Sequence, residues 1–573
     1  MKKILLILLF GLLGASCYQD LGNYDYKLDS MNEITSVTFS PSLIETAGGE
    51  IIEVQQALDE SDRRRRVDVI VQQTLADDLE ELDFYWFRTF VDENGKAVQD
   101  TVRTKGYLEF DLPVGKAMSY NIFLQIYDRT TDLSHYSGFA IKTRPLFKNS
   151  LFVMHGGNGN RKIGNIEVIG NETKIYTDIK SVTKDNNYYN NATGFGYTTY
   201  INIPDDLTNI GETKALTIFC DNGETMAYNP HGMGVKASAK QIFKPESNGF
   251  SYLKSVQAGD PSNNTLYRVV LGKGGEAFFG NVVHALYKPG AACDNVLHQT
   301  DYKITAATVT HNRFLLWDAK NNRFLYAAKE DGGFAIDETN SLKSSYGSRN
   351  PLLDANVPFQ GLQRSPVDMT AVMGYINYRD NYNQQNPFFI FKDGENGEYY
   401  RYELLMQNIG DGSKARAARG VDGEDEEDVL PAYTVIGEKK LIGLTPTDMS
   451  TITYNSWFTT TNLFFAEGNT VYRYNVSNGD RFAVYEAPLG YDVTKIKFRT
   501  EDSSVFSSDL GLCLDIVMFN GTNGAVAEIK FTTSADVDND FTPLFYDRDD
   551  EGNMWGEIKD IIFVNEYIYE SVY

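Results

Sequence analysis

One unit returns along the C-terminal three-quarters of this chain and limits its folding more than any other feature. It is an apolar strand, a turn of Gly, Asn or Asp, and a second alternating strand. It begins at Ser150 (SLFVMHGGNGNRKIGNIEVI), Ala215, Glu276, Arg313, Pro387, Asn462 and Cys513. The spacing averages about 60 residues, longer than common propeller blades and within reach of blades carrying loop insertions. Two units share more. Pro366-x-Asp368-Met369 opens a strand ahead of the Pro387 hairpin, and Pro446-x-Asp448-Met449 opens one ahead of the Asn462 hairpin. In that second hairpin Tyr472, Tyr474 and Val476 share one face and Arg473 and Asn475 the other, the period-2 pattern of a strand packed on one side. A strand followed by a hairpin, repeated, makes radial sheets that bury their faces only against one another, which is a β-propeller of about seven blades. A pair of large β-sandwiches is the alternative, and it leaves the repeated Pro-x-Asp-Met unexplained.

The Ser150 hairpin has no room for an inner strand ahead of it, whereas the Cys513 hairpin is followed by surplus β-rich chain, TPLFYD and EIKDIIFVNEYIY. Ile558–Val564 is therefore expected to pair beside the Ser150 hairpin. That pairing joins the two ends of the propeller and removes exposed edges.

Ahead of the repeats, residues 34–145 run as ITSVTF, RVDVIVQQ, LDFYWFRT, GYLEFDL, YNIFLQIYD and SGFAIKT. Six or seven short strands over about a hundred residues suit an Ig-like β-sandwich, with Trp86 as its large core ring. The expected fold is thus all-β, a sandwich over 34–145 followed by a propeller over 148–573. Arg63 to Arg66 reads as a charged loop or a guarded edge strand, with an anionic partner as the alternative.

The N-terminus sets an expected compartment. Lys2 and Lys3 precede the apolar run Ile4–Leu13, whose ten residues would span about 15 Å as a helix, against a hydrocarbon core of about 30 Å. Gly14, Ala15 and Ser16 then lead to Cys17, so residues 1–16 read as a lipoprotein signal whose cleavage exposes Cys17 for acylation. The alternative is an ordinary secretory signal with Cys17 in a disulfide. Residues 17–33 are polar and aperiodic, an extended tether with a reach of about 50 Å. The membrane contact would be through acyl chains, palmitate among them, alone. Lys+Arg 53 against Asp+Glu 78 gives a net charge of -25, which argues against nucleic acid and anionic lipid as partners. With Cys17 acylated, Cys220, Cys293 and Cys513 remain, and buried free thiols are expected of them.

The opening CYQDLGNYDYKLDSMNEI, Cys17 to Ile34, resembles the start of the PKD-like family of Bacteroidetes lipoproteins. The resemblance implies a PKD-type sandwich after the tether. It also implies an outer-membrane, cell-surface lipoprotein beside a Sus-type nutrient-uptake system, with a TonB-dependent transporter and its lid lipoprotein as partners. Asp20 resembles a fragment of the surface-export signal.

Chemistry-bearing motifs are few. The sequence holds no H-E-x-x-H, C-x-x-C, Walker loop or G-x-S-x-G, and its six histidines (His135, His155, His231, His284, His298, His311) include no helical i, i+4 pair. No catalytic or metal residue is assigned, no cofactor is expected, and the ligand-binding residues are unknown at this level. His155–Asn160 (HGGNGN) is followed by a strand and reads as a hairpin turn, not a phosphate loop. The Asp536–Asp550 region offers hard oxygen ligands for Ca²⁺, but Ile558 stands where an EF-hand loop from Asp547 needs its Glu, so a solvated loop is preferred. Ser413–Asp428, basic then acidic, reads as an insertion within a blade. Trp317 and Trp457 are read as packing between blades, with ligand stacking as the alternative. The balance favours a non-catalytic binding role: capture or retention of peptide or glycan for a transporter. The alternatives are a propeller-type glycoside hydrolase or lyase with paired carboxylates, and an adhesion or scaffold protein.

Overall fold

The computed structural model describes residues 32–565, apart from internal stretches of which 202–212, 239–250, 290–302, 344–351, 355–368, 377–386, 407–432 and 500–510 are the longest. Cys17 with the signal and tether, Asp368, Cys293, Trp457, Ser413–Asp428 and His231, His284, His298 and His311 lie outside the described residues. The chain divides into two compact units, Met1–Leu146 and Phe147–Tyr573.

The first unit is a two-sheet sandwich. Ile34–Ser40, Arg64–Gln73 and Tyr107–Asp111 form a three-stranded sheet. Ile44–Thr46, Gly49–Gln55, Leu133–Arg144, Ser119–Asp128, Leu82–Val91 and Ala97–Thr104 follow in that order across a six-stranded one. Alternation decides which side chains face inward. Along Ser119–Asp128, Tyr120, Ile122, Leu124 and Ile126 are buried while Asn121 and Phe123 are exposed. They meet Val67, Phe84, Trp86, Leu108 and Ile141 in one core, and each such side chain is worth about 1.5–3 kcal/mol of burial. Trp86 is fully buried, its indole N–H donating to Thr104 Oγ1 at 2.9 Å. Two longer strands escape the sequence reading for physical reasons. Ala97–Thr104 is an edge strand with no buried position, and Gly49–Gln55 pairs in parallel with Leu133–Arg144, far away in the chain.

The second unit is a β-propeller, with seven four-stranded sheets among the described residues. The inner strands of blades 1 to 7 are, in turn, Ile558–Asn565, Ala192–Ile201, Tyr252–Asp260, Ile304–Thr310, Met369–Ile376, Ile452–Tyr454 and Asp492–Phe498. The strand beside each inner one is sandwiched between neighbouring blades, so it reads as a largely apolar run. Asn149–His155 in blade 1 and Cys513–Phe519 in blade 7 are buried at nearly every position. The core is a series of layers between blades. Trp317 is fully buried in one, with Phe324 of its own blade and Phe389 and Phe391 of the next, 4.9 Å from the Phe391 ring and edge-on to it.

The expected closure is present. Ile558–Asn565 runs antiparallel to Asn149–His155, with Ser150 opposite Val564 and Val153 opposite Ile561. Two details differ from the sequence reading. The Glu276 unit is the outer half of blade 3, because Thr265–Gly272 pairs with Ala277–Asn281 and supplies the second strand. In blade 6, Thr470–Asn475 is packed on both sides: Tyr472, Tyr474 and Val476 join the layer toward blade 5, and Val471 joins the layer toward blade 7.

Candidate functional site

The join between blade 7 and blade 1 holds two buried ion-pair clusters. Asp560, on the inner strand of blade 1, accepts from Lys495 Nζ of blade 7 at 2.7 Å and from the Phe195 backbone N–H of blade 2 at 2.8 Å. Burial pushes this carboxyl up, but Lys495, Lys497 and the two hydrogen bonds outweigh it and hold it below its ordinary range. Lys497 Nζ donates to the Ile561 carbonyl at 2.9 Å. Deeper in the join, Arg499 donates to Asp515 at 2.9 Å and meets Glu528 at 2.6 Å, with its guanidinium 4.1 Å from the Phe563 ring centroid. Burial pulls the Arg499 pKa down and the two carboxylates more than restore it, while burial raises Asp515 against the pull of Arg499. Asp515 and Glu528 sit directly opposite on adjacent strands.

This is the buried carboxylate pair that a glycosidase reading looks for, yet both members are committed to Arg499. The cleft beside them, lined by Leu151, Lys497, Asp515 and Phe563, has a cavity volume of about 10 Å³, room for about one water molecule, against the roughly 300–1,000 Å³ of a small-molecule site. Its geometry serves closure.

The carboxylates of Asp536–Asp550 are used by the fold. Asp536 pairs with Arg473 at 2.5 Å, and Asp538 accepts from the Asp540 N–H. Asp549 takes the Glu551 and Asn553 N–H groups on one oxygen and the Thr177 hydroxyl on the other. Among the described residues no group of three His, Cys, Asp or Glu side chains is placed to hold a metal ion. Arg64–Arg66 lie on the part of their strand that pairs only with Tyr107–Asp111, where Arg64 meets Glu109 at 2.6 Å and Arg66 meets Asp68 at 2.6 Å. Cys220 and Cys513 are free and buried, and burial pushes each thiol up to about 12.

His155 ends the second strand of blade 1, and Gly156 and Gly159 supply the positive φ its hairpin turn requires. The ring is buried. Nε2 donates to the Thr177 carbonyl at 2.7 Å and Nδ1 accepts from the Gly556 N–H at 3.0 Å, the neutral tautomer. Trp555 stands edge-on to it at 5.2 Å. Burial lowers its pKa below 6.5.

An open site lies on the first unit. The side of the six-stranded sheet turned away from the core carries Tyr85, Phe87, Phe123, Tyr127 and Tyr136. In register, Thr101, Phe87, Phe123 and Gly138 follow one another across the sheet in one row, and Arg103, Tyr85, Gln125 and Tyr136 in the next. Ring centroids are 6.1 Å apart for Phe87 and Phe123 and 5.4 Å for Phe123 and Tyr136. Phe123 is 47% exposed and Tyr136 54%. Gln125 Nε2 donates to Ser134 Oγ at 2.9 Å, and Arg103 pairs with Asp83 at 2.7 Å while lying over the Tyr85 ring.

Residues 17–194 match the PKD-like family. The match takes in under a third of the chain, the first unit and the start of the propeller. No curated protein matches the chain. Among solved structures, a quinonprotein alcohol dehydrogenase-like protein from Bacteroides thetaiotaomicron VPI-5482 is similar at 10% identity and a TM-score of 0.38, over 89% of this chain and 96% of that one. The periplasmic gluconolactonase of Pseudomonas aeruginosa is similar at 8% identity and a TM-score of 0.35, over 73% of this chain and 99% of that one. Similarity this distant carries no statement about activity.

The aromatic side of the PKD-like unit was missed in the sequence because the outward parity of YNIFLQIYD mixes Phe123 and Tyr127 with Asn121 and Gln125. Its exposed residues show as a set only when the neighbouring strands are in register.

Proposed function

We propose that the protein retains an extracellular ligand, peptide or glycan, without transforming it, as an accessory of a nutrient-uptake complex. The observation that carries this reading is the solvent-facing aromatic side of the PKD-like sheet, a set of half-exposed rings interleaved with hydrogen-bonding groups on a rigid scaffold. Cys17 would be acylated, palmitate included, and would anchor the chain to the outer membrane facing outward. The partners proposed are a TonB-dependent transporter and its lid lipoprotein. The test takes the intact lipoprotein in mild detergent and titrates it by calorimetry with peptide and glycan digests while products are followed by mass spectrometry. Saturable binding without product release, and co-purification of a transporter, are expected. Catalytic turnover of any digest, or a lipoprotein that binds neither class, overturns the proposal.

A further inference from the structure

We infer that the outer side of the Leu82–Val91, Ala97–Thr104, Ser119–Asp128 and Leu133–Arg144 sheet is a glycan-binding surface, and that its ligand is a neutral polysaccharide. The inference rests on the retention reading and narrows it to one face and one ligand class.

Three properties of the face select the ligand. The first is the kind of apolar surface. Its large apolar side chains are aromatic: Tyr85, Phe87, Phe123, Tyr127 and Tyr136. Sugar rings present a C–H face that stacks on an aromatic ring, with electropositive C–H groups meeting its negative π-face. Gly138, next to Phe123 in register, leaves the flank of that ring uncovered, since even a Cβ there would stand 4.0 Å from Phe123 Cδ2.

The second is charge. Within these rows the formal charges are Asp83 and Arg103, which pair at 2.7 Å, and at their border Arg129 lies 4.0 Å from Asp83 and Asp132 accepts from the Tyr127 hydroxyl, so the charges balance. What remains is amide and hydroxyl: Gln125, Thr101 and Ser134. A neutral polyhydroxyl ligand complements such a surface, while an acidic or basic one gains nothing from it.

The third is size. Four strands and three rows of side chains measure about 14 Å by about 14 Å, on the order of 200 Å². A stable dimer needs roughly 800 Å² per partner, so the face is too small to be explained by a second copy. It suits two or three pyranose rings. An extended peptide would instead add to a sheet edge through its backbone.

The experiment is affinity electrophoresis of the full chain in mild detergent, in gels containing neutral polysaccharides (β-glucan, xylan, mannan, α-glucan), with Phe123→Ala, Tyr136→Ala, Tyr136→Phe and Gln125→Ala beside the wild type. Retardation by at least one polysaccharide is expected. Removing either ring should weaken it about tenfold, Tyr136→Phe should keep most of it, and the melting temperature should stay in place because both rings are half exposed. Glycan binding that survives both ring deletions places the site elsewhere and overturns the inference, though retention stands. Binding of peptide but no glycan likewise refutes the ligand class and leaves retention intact. Binding of neither removes both. Loss of binding with a lowered melting temperature in Phe123→Ala and Tyr136→Ala, and none in Gln125→Ala, also counts against the face as a site.

Discussion

Asp560 and Lys495 are 2.7 Å apart across the join between the first and last blades, and the other oxygen of the same carboxylate holds the Phe195 N–H of blade 2. One side chain therefore ties three inner strands. A buried pair broken by losing one partner costs about 3–5 kcal/mol, because the remaining charge stays buried. Asp560→Asn and Lys495→Met should each lower the melting temperature. Their double variant should cost less than the sum of the two. Additive losses in thermal melts would show that the pair is not coupled.

Ending the chain at Asp550 removes the strand opposite Asn149–His155 together with Trp555. The backbone of that buried strand then loses its partner along one whole edge. Calorimetry should show the propeller transition shifted far down or abolished. An unchanged transition would mean that closure contributes little to its stability.

The blades were legible because strands caught between two sheets are apolar at nearly every position, as in the FFIF of Phe388–Phe391 and the LFVM of Leu151–Met154, and the closing strand because it was left over. The blade 3 phase slipped where the run AFFG outshone TLYRVVLG, whose Arg268 interrupts the apolar stretch. The join itself was invisible: His155 and Gly556 are 401 residues apart, and Asp560 and Phe195 are 365 apart. Neither periodicity nor local motif connects such positions. The aromatic face lies between these cases, with its residues plain in the sequence and their common side set only by strand register.

At Gly164 there is no space for a side chain, since a Cβ would run into the Trp555 ring and the Tyr176 carbonyl. Gly164→Ala should destabilise by about 1–3 kcal/mol through overpacking. Trp555→Leu in the same chain should recover part of that loss. A Gly164→Ala protein with wild-type urea unfolding would contradict the packing at this join.

His155 makes closure sensitive to acid. Its pKa is lowered in the fold by burial first, with Lys162 and Arg161 adding to this and Thr177 and Asp178 opposing. The unfolded chain takes up a proton near 6.5 and the folded one resists, so stability falls as pH drops below about 6.5. Between pH 7.5 and 5.5 the wild type should lose more melting temperature than His155→Gln. Parallel curves for the two would show that the imidazole does not titrate this way.

Arg499 gives the sharpest test of what the buried carboxylates do. It satisfies Asp515 and Glu528 at once, and those two face each other in register. In Arg499→Met, two buried acids would share one site without a cation, which favours keeping a proton on one of them. A carboxyl whose folded pKa lies above its unfolded value costs stability as pH rises and costs nothing once both states are protonated. The variant should therefore be destabilised by about 3–5 kcal/mol near neutrality and should regain part of that relative to wild type as pH falls toward 5. Adding Asp515→Asn and Glu528→Gln to Arg499→Met should remove most of the pH dependence. A penalty that is the same at pH 8 and pH 5 would mean that lost packing against Phe563, and not uncompensated charge, is what the arginine prevents.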